Sequence, residues 1–270
     1  MKVAAGQVAV VTGAASGIGR ALAQALAARG VRLALADWNE TGLAETVQLL
    51  QVPVFSRKLD VADRAAVEAF AADVLAEFGQ VDWLFNNAGV ALLQRVQDMT
   101  YVDLQWLLNI NFWGVVHGTH AFLPAMLKRD SGTIINISSL YGIMAWPANS
   151  AYSASKFAVR GYTEAMRHDL YKTGVRAVAV HPGGIRTSIV RNARFTTDDL
   201  GRGDRAKLER DFDKIAGTSS KGAARIILDG LDRGRERIIV GKDAQILSLL
   251  TRFFPEKYFN VIRALQRLAR

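Results

Sequence analysis

Tyr152 is followed four residues later by Lys156, and this pair is the clearest candidate for chemistry in the chain. Residues four apart lie on one face of a helix, so the lysine ammonium is expected beside the tyrosine phenol. A nearby cation favours the phenolate and lowers the pKa of a tyrosine from its usual value near ~10. The spacing therefore predicts that Tyr152 donates and accepts a proton near neutral pH.

The segments around this pair alternate between strand and helix. Apolar, β-branched runs predict strands at Val8–Val11, Val31–Ala36, Val54–Leu59, Trp83–Asn86, Thr133–Ile137, Arg176–His181 and Arg237–Val240. The stretches between them predict helices at Ile18–Arg29, Glu40–Leu50, Arg64–Phe78, Asp103–Lys128 and Tyr152–Lys172. This alternation predicts the α/β class: a single Rossmann-like, doubly wound domain whose seven-stranded parallel sheet is flanked by helices on both faces.

A glycine-rich loop joins the first predicted strand to the first predicted helix. Its glycines, Gly13, Gly17 and Gly19, allow a tight turn and a close approach of the backbone to a pyrophosphate. The N-terminus of the following helix supplies free N–H groups to the phosphates. An ordinary strand-to-helix turn is the alternative, which the acid at the end of the next strand disfavours.

That acid is Asp37. A carboxylate at this place can accept hydrogen bonds from both adenosine ribose hydroxyls, and it repels a 2′-phosphate. Neither Ser16 nor Trp38 supplies a cation that would bind such a phosphate. The sequence therefore predicts NAD as the cofactor, with NADP disfavoured.

Composition narrows the class of protein further. A chain of 270 residues with 50% hydrophobic content can bury one large core. Cysteine is absent, which excludes disulfides and thiolate metal ligands and is compatible with the cytoplasmic location that we expect. The four histidines lack ligand spacing, so no metal site is predicted. The net charge of +9 is interpreted as a solvated basic surface rather than a nucleic-acid interface, and attraction for anionic substrates or lipid surfaces stays open.

Several short motifs occur together in one order along the chain. They are Thr12-Gly13-x-x-x-Gly17-x-Gly19, Asp60-Val61, Asn86-Asn87-Ala88-Gly89, Asn111, Asn136-Ile137-Ser138-Ser139, Tyr152-x-x-x-Lys156 and Pro182-Gly183. In this order and spacing, from about Gln7 to about Gly241, the chain resembles the short-chain dehydrogenase/reductase family. The resemblance implies an oxidoreductase that transfers a hydride between a nicotinamide cofactor and a secondary alcohol or ketone.

The resemblance also implies roles for single residues. Ser139 would hold the substrate oxygen, with Ser138 as the less favoured choice, and Asn111, rather than Asn109, would hold a water that links Lys156 to solvent. Together with Tyr152, the implied catalytic residues are Asn111, Ser139, Tyr152 and Lys156. The implied cofactor contacts are Gly13, Ser16, Gly17, Ile18, Gly19, Asp37, Asp60, Val61, Asn87, Ala88, Gly89, Tyr152, Lys156, Pro182, Gly183, Ile185 and Thr187.

Apolar residues near the ends of the predicted strands suggest what the substrate is. The expected substrate contacts are Leu93, Met144, Trp146 and Ile189, beside Ser139 and Tyr152. They favour a lipophilic secondary alcohol or ketone over a sugar. The alternative is that Trp146 and its neighbours pack at a subunit contact.

The domain organisation is expected to have three parts. Residues 1–241 form the dinucleotide-binding catalytic domain, within which residues 188–218 show no apparent strand and correspond to the lid of family members. Residues 242–270 form a C-terminal amphipathic helical extension of the same domain. Three alternatives remain for this extension: a cover over the substrate pocket, a subunit contact, or a less favoured contact with a membrane surface.

The expected assembly is a homodimer or homotetramer, with a dimer through the Asp103 and Tyr152 helices as the first expectation. A non-catalytic NAD-sensing or scaffold protein on the same fold is the rival interpretation. It is disfavoured because none of the four implied catalytic residues is missing.

Overall fold

The strand Val8–Thr12 shows how the sequence builds the centre of the sheet. All five of its residues are buried. Val8 and Val10 contact one layer of helices whereas Ala9 and Val11 contact the other, because successive side chains of a strand point to opposite faces. A strand that is apolar on both faces belongs inside a sheet that helices cover on both sides.

The computed structural model describes residues 2–197 and 203–268, with side chains as far as residue 264. Its strands are β1 (Val8–Thr12), β2 (Arg32–Asp37), β3 (Val54–Lys58), β4 (Trp83–Asn86), β5 (Leu92–Leu93), β6 (Gly132–Ile137), β7 (Val175–Pro182), β8 (Ile185–Arg186), β9 (Arg194–Phe195), β10 (Thr218–Ser219) and β11 (Arg237–Val240). Seven of them form one parallel sheet in the spatial order β3-β2-β1-β4-β6-β7-β11. The chain changes direction between β1 and β4, where sheets of this kind leave a ligand crevice beyond the carboxyl ends of their strands.

Helices cover both faces of this sheet. The α-helices of the described residues are α1 (Gly17–Ala27), α2 (Glu40–Gln48), α3 (Arg64–Phe78), α4 (Tyr101–Leu108), α5 (Gly114–Lys128), α6 (Ser150–Asp169), α7 (Arg205–Ile215), α8 (Ser220–Asp232), α9 (Lys242–Phe253) and α10 (Tyr258–Leu268). Leu22 of α1 and Ile227 of α8 belong to the core on one face, whereas Phe70 of α3, Phe122 of α5 and Met166 of α6 belong to the core on the other. The predicted α/β class and the seven-stranded sheet are confirmed.

Capping residues set the ends of α3 where the sequence predicts them. The side chain of Asp63 accepts a hydrogen bond from the backbone N–H of Ala66 at 3.0 Å. Gly79 ends the helix with a φ of 72°, a left-handed conformation that favours glycine.

The predicted helix 103–128 is in fact two helices joined by one widened turn. The π-helical turn Asn109–Trp113 separates α4 from α5. Apolar spacing runs through this turn without a break, so the sequence pattern alone reads as one helix. Such turns add a residue to the helix and frequently lie at functional sites.

Residues 188–218 contain more regular structure than the sequence predicts. The short strand β9 pairs in parallel with β5, and helix α7 follows. The prediction that this segment has no strand is wrong, because a two-residue strand pairs with a distant partner and leaves no local pattern. Residues 198–202 of the predicted lid lie outside the described residues.

The extension packs on the segment that follows Ser139. The rings of Trp146 and Phe259 lie 5.2 Å apart. The hydroxyl of Tyr258 accepts a hydrogen bond from the N–H of Ala145 at 3.1 Å and donates one to the carbonyl of the same residue at 3.2 Å. Residues 269–270 lie outside the described residues. Within the described ranges, every helix is too short or too polar to cross a bilayer.

Candidate active site

Tyr152 and Lys156 lie on the same face of α6, as their spacing predicts. The ammonium nitrogen of Lys156 is 5.8 Å from the centroid of the Tyr152 ring. Both side chains are at least nine-tenths buried. Lys156 Nζ donates a hydrogen bond to the carbonyl of Ile137 at 3.0 Å, which places the ammonium at the end of β6.

The pKa of Tyr152 differs from the prediction. Burial raises it above the usual tyrosine value, and a hydrogen bond with Ser139 lowers it by less. The predicted lowering by Lys156 is contradicted, because removing the phenolate from water outweighs the other influences on it. Burial also lowers the pKa of Lys156 to about 8, so the ammonium is mostly charged at neutral pH.

Of the two serines after β6, only Ser139 hydrogen-bonds Tyr152. Its oxygen also accepts a hydrogen bond from the N–H of Tyr141 at 3.1 Å. Ser138 instead donates to the carbonyl of Lys156 at 2.8 Å. The structure thus brings Ser139 and Tyr152 together and turns Ser138 toward the backbone of α6.

Asn111 lies in the π-helical turn and faces the loop after β4. Its side-chain oxygen accepts from the N–H of Val90 at 2.8 Å, and its amide donates to the carbonyl of Val90 at 3.0 Å and to the hydroxyl of Ser155 at 3.1 Å. A Cβ on Gly89 would lie 3.2 Å from Asn111 Oδ1 and 3.4 Å from Lys156 Nζ. Asn111 and Lys156 therefore flank the same glycine, whereas Asn109 hydrogen-bonds Gln105 along its own helix.

The glycine-rich loop contacts the loop after β4 closely. A Cβ on Gly13 would lie 2.8 Å from the Cα of Ala88, and one on Gly19 would lie 2.0 Å from the carbonyl oxygen of Gly13. Asn87 strengthens the contact, since its amide donates to the carbonyls of Thr12 and Gly13 at 2.9 and 3.2 Å. Only glycine fits at these two loop positions.

The N-terminus of α1 fits the phosphates of a dinucleotide. The helix begins at Gly17, and the preceding Ser16 makes no side-chain capping bond. The first N–H groups of the helix, which include that of Ile18, thus have no partner within the helix and are available to an anion. Gly17 has a φ of 54°, and a Cβ there would lie 3.1 Å from the methyl carbon of Thr187.

Asp37 ends β2 beside the glycine-rich loop. One carboxylate oxygen accepts from the N–H of Ala15 and the other from the N–H of Asn39, both at 2.9 Å. Burial raises the pKa of Asp37, while the backbone hydrogen bonds from Asn39 and Ala15 lower it by less. A carboxylate has about four lone-pair sites, so these bonds leave capacity for ribose hydroxyls.

Asp60 and Val61 follow β3 along the same edge of the sheet. Asp60 accepts a hydrogen bond from the N–H of Ala62 at 2.9 Å. Val61 is buried, and its carbonyl accepts from His117 Nδ1 at 3.0 Å. Their contact with an adenine ring stays a prediction.

The segment after β7 reaches the glycine-rich loop through Thr187, as described above. Pro182 ends β7, and Gly183 continues its ladder by donating to the carbonyl of Val240 at 2.9 Å. Ile185 is buried and belongs to β8, which pairs with β10. The predicted nicotinamide segment therefore lies beside the predicted pyrophosphate loop.

Asp243, at the start of α9, is a residue of this site that sequence reasoning missed. Its carboxylate accepts a hydrogen bond from the N–H of Gly184 at 2.6 Å. A Cβ on Gly183 would lie 2.2 Å from the same carboxylate. An acid 59 residues away along the chain holds the predicted nicotinamide segment, and no local motif signals such a contact.

His181 is a second missed residue, since no motif in the sequence assigns it a role. Its Nδ1 donates to the carbonyl of Ser139 at 3.1 Å. Its Nε2 is buried without a hydrogen-bond partner among the described residues. Burial, followed by the charges of Arg237 and Arg160, lowers the pKa of His181 to about 4.

The predicted substrate contacts separate into two apolar clusters. Leu93 and Ile189 share a cluster with Tyr152. Met144 and Trp146 belong instead to a cluster that contains residues of α9 and α10. Tyr141, which the sequence did not indicate, packs edge-on against Tyr152 with ring centroids 5.8 Å apart. The structure therefore does not bring Met144 and Trp146 together with Leu93 and Ile189.

These features define a dinucleotide-binding α/β protein with a serine, a tyrosine and a lysine at the crevice. Among the described residues, no group of histidines and carboxylates is arranged to hold a metal ion. The family model described as short chain dehydrogenase matches residues 7–198. The protein described as "Putative oxidoreductase SadH" from Mycobacterium tuberculosis is 43% identical over 96% of this chain and 95% of its own length.

Solved structures give the same result. A short-chain dehydrogenase/reductase from Burkholderia phymatum in complex with NAD superposes with a TM-score of 0.85 at 30% identity, covering 95% of this chain and 96% of its own. A serine dehydrogenase complexed with NADP+ superposes with a TM-score of 0.79 at 27% identity, covering 87% of this chain and 94% of its own. The chain belongs to the short-chain dehydrogenase/reductase family, and it is an oxidoreductase of that family.

Replacing Asp243 tests its hold on the predicted nicotinamide segment. We expect Asp243→Ala to weaken NAD binding by about tenfold, because the N–H of Gly184 loses its charged partner. Asp243→Asn retains an acceptor and should bind NAD more tightly than Asp243→Ala. Titration calorimetry measures the affinity for NAD. The control is Asp229→Ala, because Asp229 is an exposed acid whose carboxylate lies 3.9 Å from the Arg29 guanidinium. Equal affinities for Asp243→Ala and the control would contradict this role.

The buried His181 predicts a pH-dependent stability. Its folded pKa of about 4 lies below the unfolded value of 6.5, so the unfolded chain binds the proton first as the pH falls. The stability that His181 contributes is complete above pH 6.5 and decreases by up to about 3 kcal/mol as the pH falls to 4.

Urea unfolding at several pH values between 7 and about 4 measures this contribution. We expect His181→Asn to reduce the slope of the free energy of unfolding against pH. Any loss of stability that is the same at every pH does not change this slope. The exposed His120 gives the matched control His120→Asn. A slope in His181→Asn as steep as that of the control would refute the assignment.

Proposed function

We propose that the protein catalyses hydride transfer between NAD and a secondary alcohol or ketone, with Tyr152 as general acid and base. The observation that carries the proposal is the juxtaposition of Ser139, Tyr152 and Lys156 at the end of β6. Ser139 hydrogen-bonds the phenol, and the buried ammonium lies 5.8 Å from the phenol ring.

The residues at the crevice fit a dinucleotide. Gly13 and Gly19 allow the loop to turn tightly where a Cβ would collide with the backbone of Ala88 or of Gly13 itself, and the first turn of α1 presents free N–H groups. Asp37 would hold the adenosine ribose, and Thr187 would lie beside the carboxamide. When bound, the nicotinamide supplies or accepts the hydride.

The protein's own groups manage the proton and the charge on oxygen. A carbonyl that receives a hydride develops negative charge on its oxygen, so hydrogen-bond donors must already point there. Ser139 would hold this oxygen while the Tyr152 hydroxyl gives it a proton. The raised pKa of Tyr152 keeps the phenol protonated and thus able to donate. In alcohol oxidation, the Lys156 ammonium would stabilise the phenolate that removes the proton.

The substrate is proposed to be lipophilic. Tyr152 lies in an apolar cluster with Leu93 and Ile189, and the ring of Tyr141 packs against it. An apolar surface beside the reacting oxygen suits alkyl or cyclic ketones better than polyols. A homodimer or homotetramer is proposed on the family resemblance, and a cytoplasmic location is proposed because it is compatible with the absence of cysteine.

The central test is the substitution Tyr152→Phe. It should reduce kcat by at least about a hundredfold, since the proton donor is lost, while the affinity for NAD changes little. Turnover is followed by NADH absorbance with a panel of cyclic, long-chain and polyol alcohols. The exposed Tyr171 provides the matched control Tyr171→Phe, which removes the same hydroxyl elsewhere.

Three results would contradict parts of the proposal. Turnover by Tyr152→Phe equal to that of the control would refute Tyr152 as proton donor. Polyols turned over faster than the cyclic and long-chain alcohols would refute the lipophilic substrate. Tight NAD binding without turnover of any panel member would favour the NAD-sensing alternative.

The choice of cofactor gives an independent prediction. We expect kcat/KM to be at least about tenfold higher with NAD than with NADP, because the Asp37 carboxylate repels a 2′-phosphate. Asp37→Ala should narrow this ratio. Glu40→Ala removes a nearby charge on an exposed side chain and should leave the ratio unchanged. A higher kcat/KM with NADP than with NAD in the unaltered protein would contradict the predicted preference for NAD.

A further inference from the structure

A cavity of about 470 Å³ lies between α6, β11, α9 and the segment that follows Ser139. Neither Ser139, Tyr152 nor Lys156 lines it, so it is separate from the proposed catalytic groups. Its polar lining residues within the described part of the chain are Arg160, Arg237, Ser248, Thr251, Arg252 and Tyr258.

The positive charge around this cavity is only partly neutralised. Arg160 Nε forms an ion pair with Glu164 at 2.9 Å. Arg237 and Arg252 form no ion pair with any side chain that the structure describes. Among the described residues, the Arg237 guanidinium donates only to the hydroxyl of Ser248, at 3.4 Å. Two guanidinium groups therefore meet at the cavity without a carboxylate of their own.

The titration of Arg237 reflects this crowding. Burial lowers its pKa, and the charge of Arg160 lowers it further; Glu164 acts in the opposite direction, and Arg252 adds to the lowering. Like charges that face one cavity repel one another, and a bound anion would relieve that repulsion.

The donors suit an oxyanion, and the remaining walls suit an apolar group. Guanidinium groups present several N–H donors in a planar fork that matches phosphate and carboxylate. The Ser248 oxygen accepts from Arg237, so its own proton is free to be donated. Met144, Phe157 and Pro255 complete the walls.

We propose that this cavity binds an organic anion, with its phosphate or carboxylate held by Arg160, Arg237 and Arg252 and its apolar part against Met144 and Phe157. This second site goes beyond the proposed redox function and needs none of its catalytic groups. Arg160 also donates to the carbonyl of Gly142 at 3.4 Å, so the ligand would sit on the segment that leads from Ser139 to α6.

The test measures binding of hexyl phosphate by calorimetry to the protein saturated with NAD, so that the probe cannot occupy the pyrophosphate loop. We expect the double variant R237Q/R252Q to bind at least about tenfold more weakly than the unaltered protein. The matched control R225Q/R233Q removes the same charge from exposed positions outside the cavity and should bind normally. Thermal unfolding of each variant checks that it is folded.

Two further probes distinguish the source of the anion. Inorganic phosphate should bind more weakly than hexyl phosphate, since it lacks the apolar part. Sedimentation with phosphatidylglycerol vesicles tests a lipid headgroup as the anion. The anion would be assigned to a membrane lipid if the protein binds the vesicles but not hexyl phosphate, and if R237Q/R252Q loses vesicle binding while R225Q/R233Q retains it.

The proposal is overturned if the protein binds neither hexyl phosphate nor the vesicles. It is also overturned if R237Q/R252Q and R225Q/R233Q bind the probe with equal affinity. Inorganic phosphate binding as tightly as hexyl phosphate would overturn the apolar part of the site. These binding measurements do not depend on turnover, so they can be interpreted even if the redox assays show no activity. Likewise, the absence of anion binding would not affect the assignment of Tyr152 as proton donor.

Discussion

The attachment of Lys156 to the end of β6 is the constraint on which the proposed active site depends. The residue is tied at both ends: its ammonium donates to the Ile137 carbonyl, and its own carbonyl accepts from Ser138. A buried ammonium needs such partners, since burial without them is costly. The two bonds fix the register of α6 against β6, and that register brings Tyr152 to Ser139. The proposed catalytic groups are thus positioned by the backbone of their neighbours as much as by their own side chains.

Local patterns were sufficient to predict the sheet and most of its helices. Apolar, β-branched runs placed all seven strands of the large sheet to within a residue or two, and Gly79 marked the end of α3. The π-helical turn between α4 and α5 was missed because apolar spacing continues through it. The strand β9 was missed because its stability comes from β5, about a hundred residues earlier in the chain.

The candidate site divides in the same way. Motif residues that follow neighbouring strands were brought together as expected: Asn87 after β4 contacts Gly13 after β1, although 74 residues separate them in sequence. Asp243 and His181 act through contacts with distant backbone, so their types alone gave no signal. The pKa of Tyr152 was predicted in the wrong direction because burial is a property of the fold, whereas spacing reports only on neighbours.

The hydroxyl of Tyr258 hydrogen-bonds both the N–H and the carbonyl of Ala145. In a sheet, a neighbouring strand would satisfy these two backbone groups. The segment around Ala145 is therefore linked to α10 through its backbone. Any movement of residues 142–146 therefore requires either that α10 moves with them or that both hydrogen bonds to Tyr258 break first.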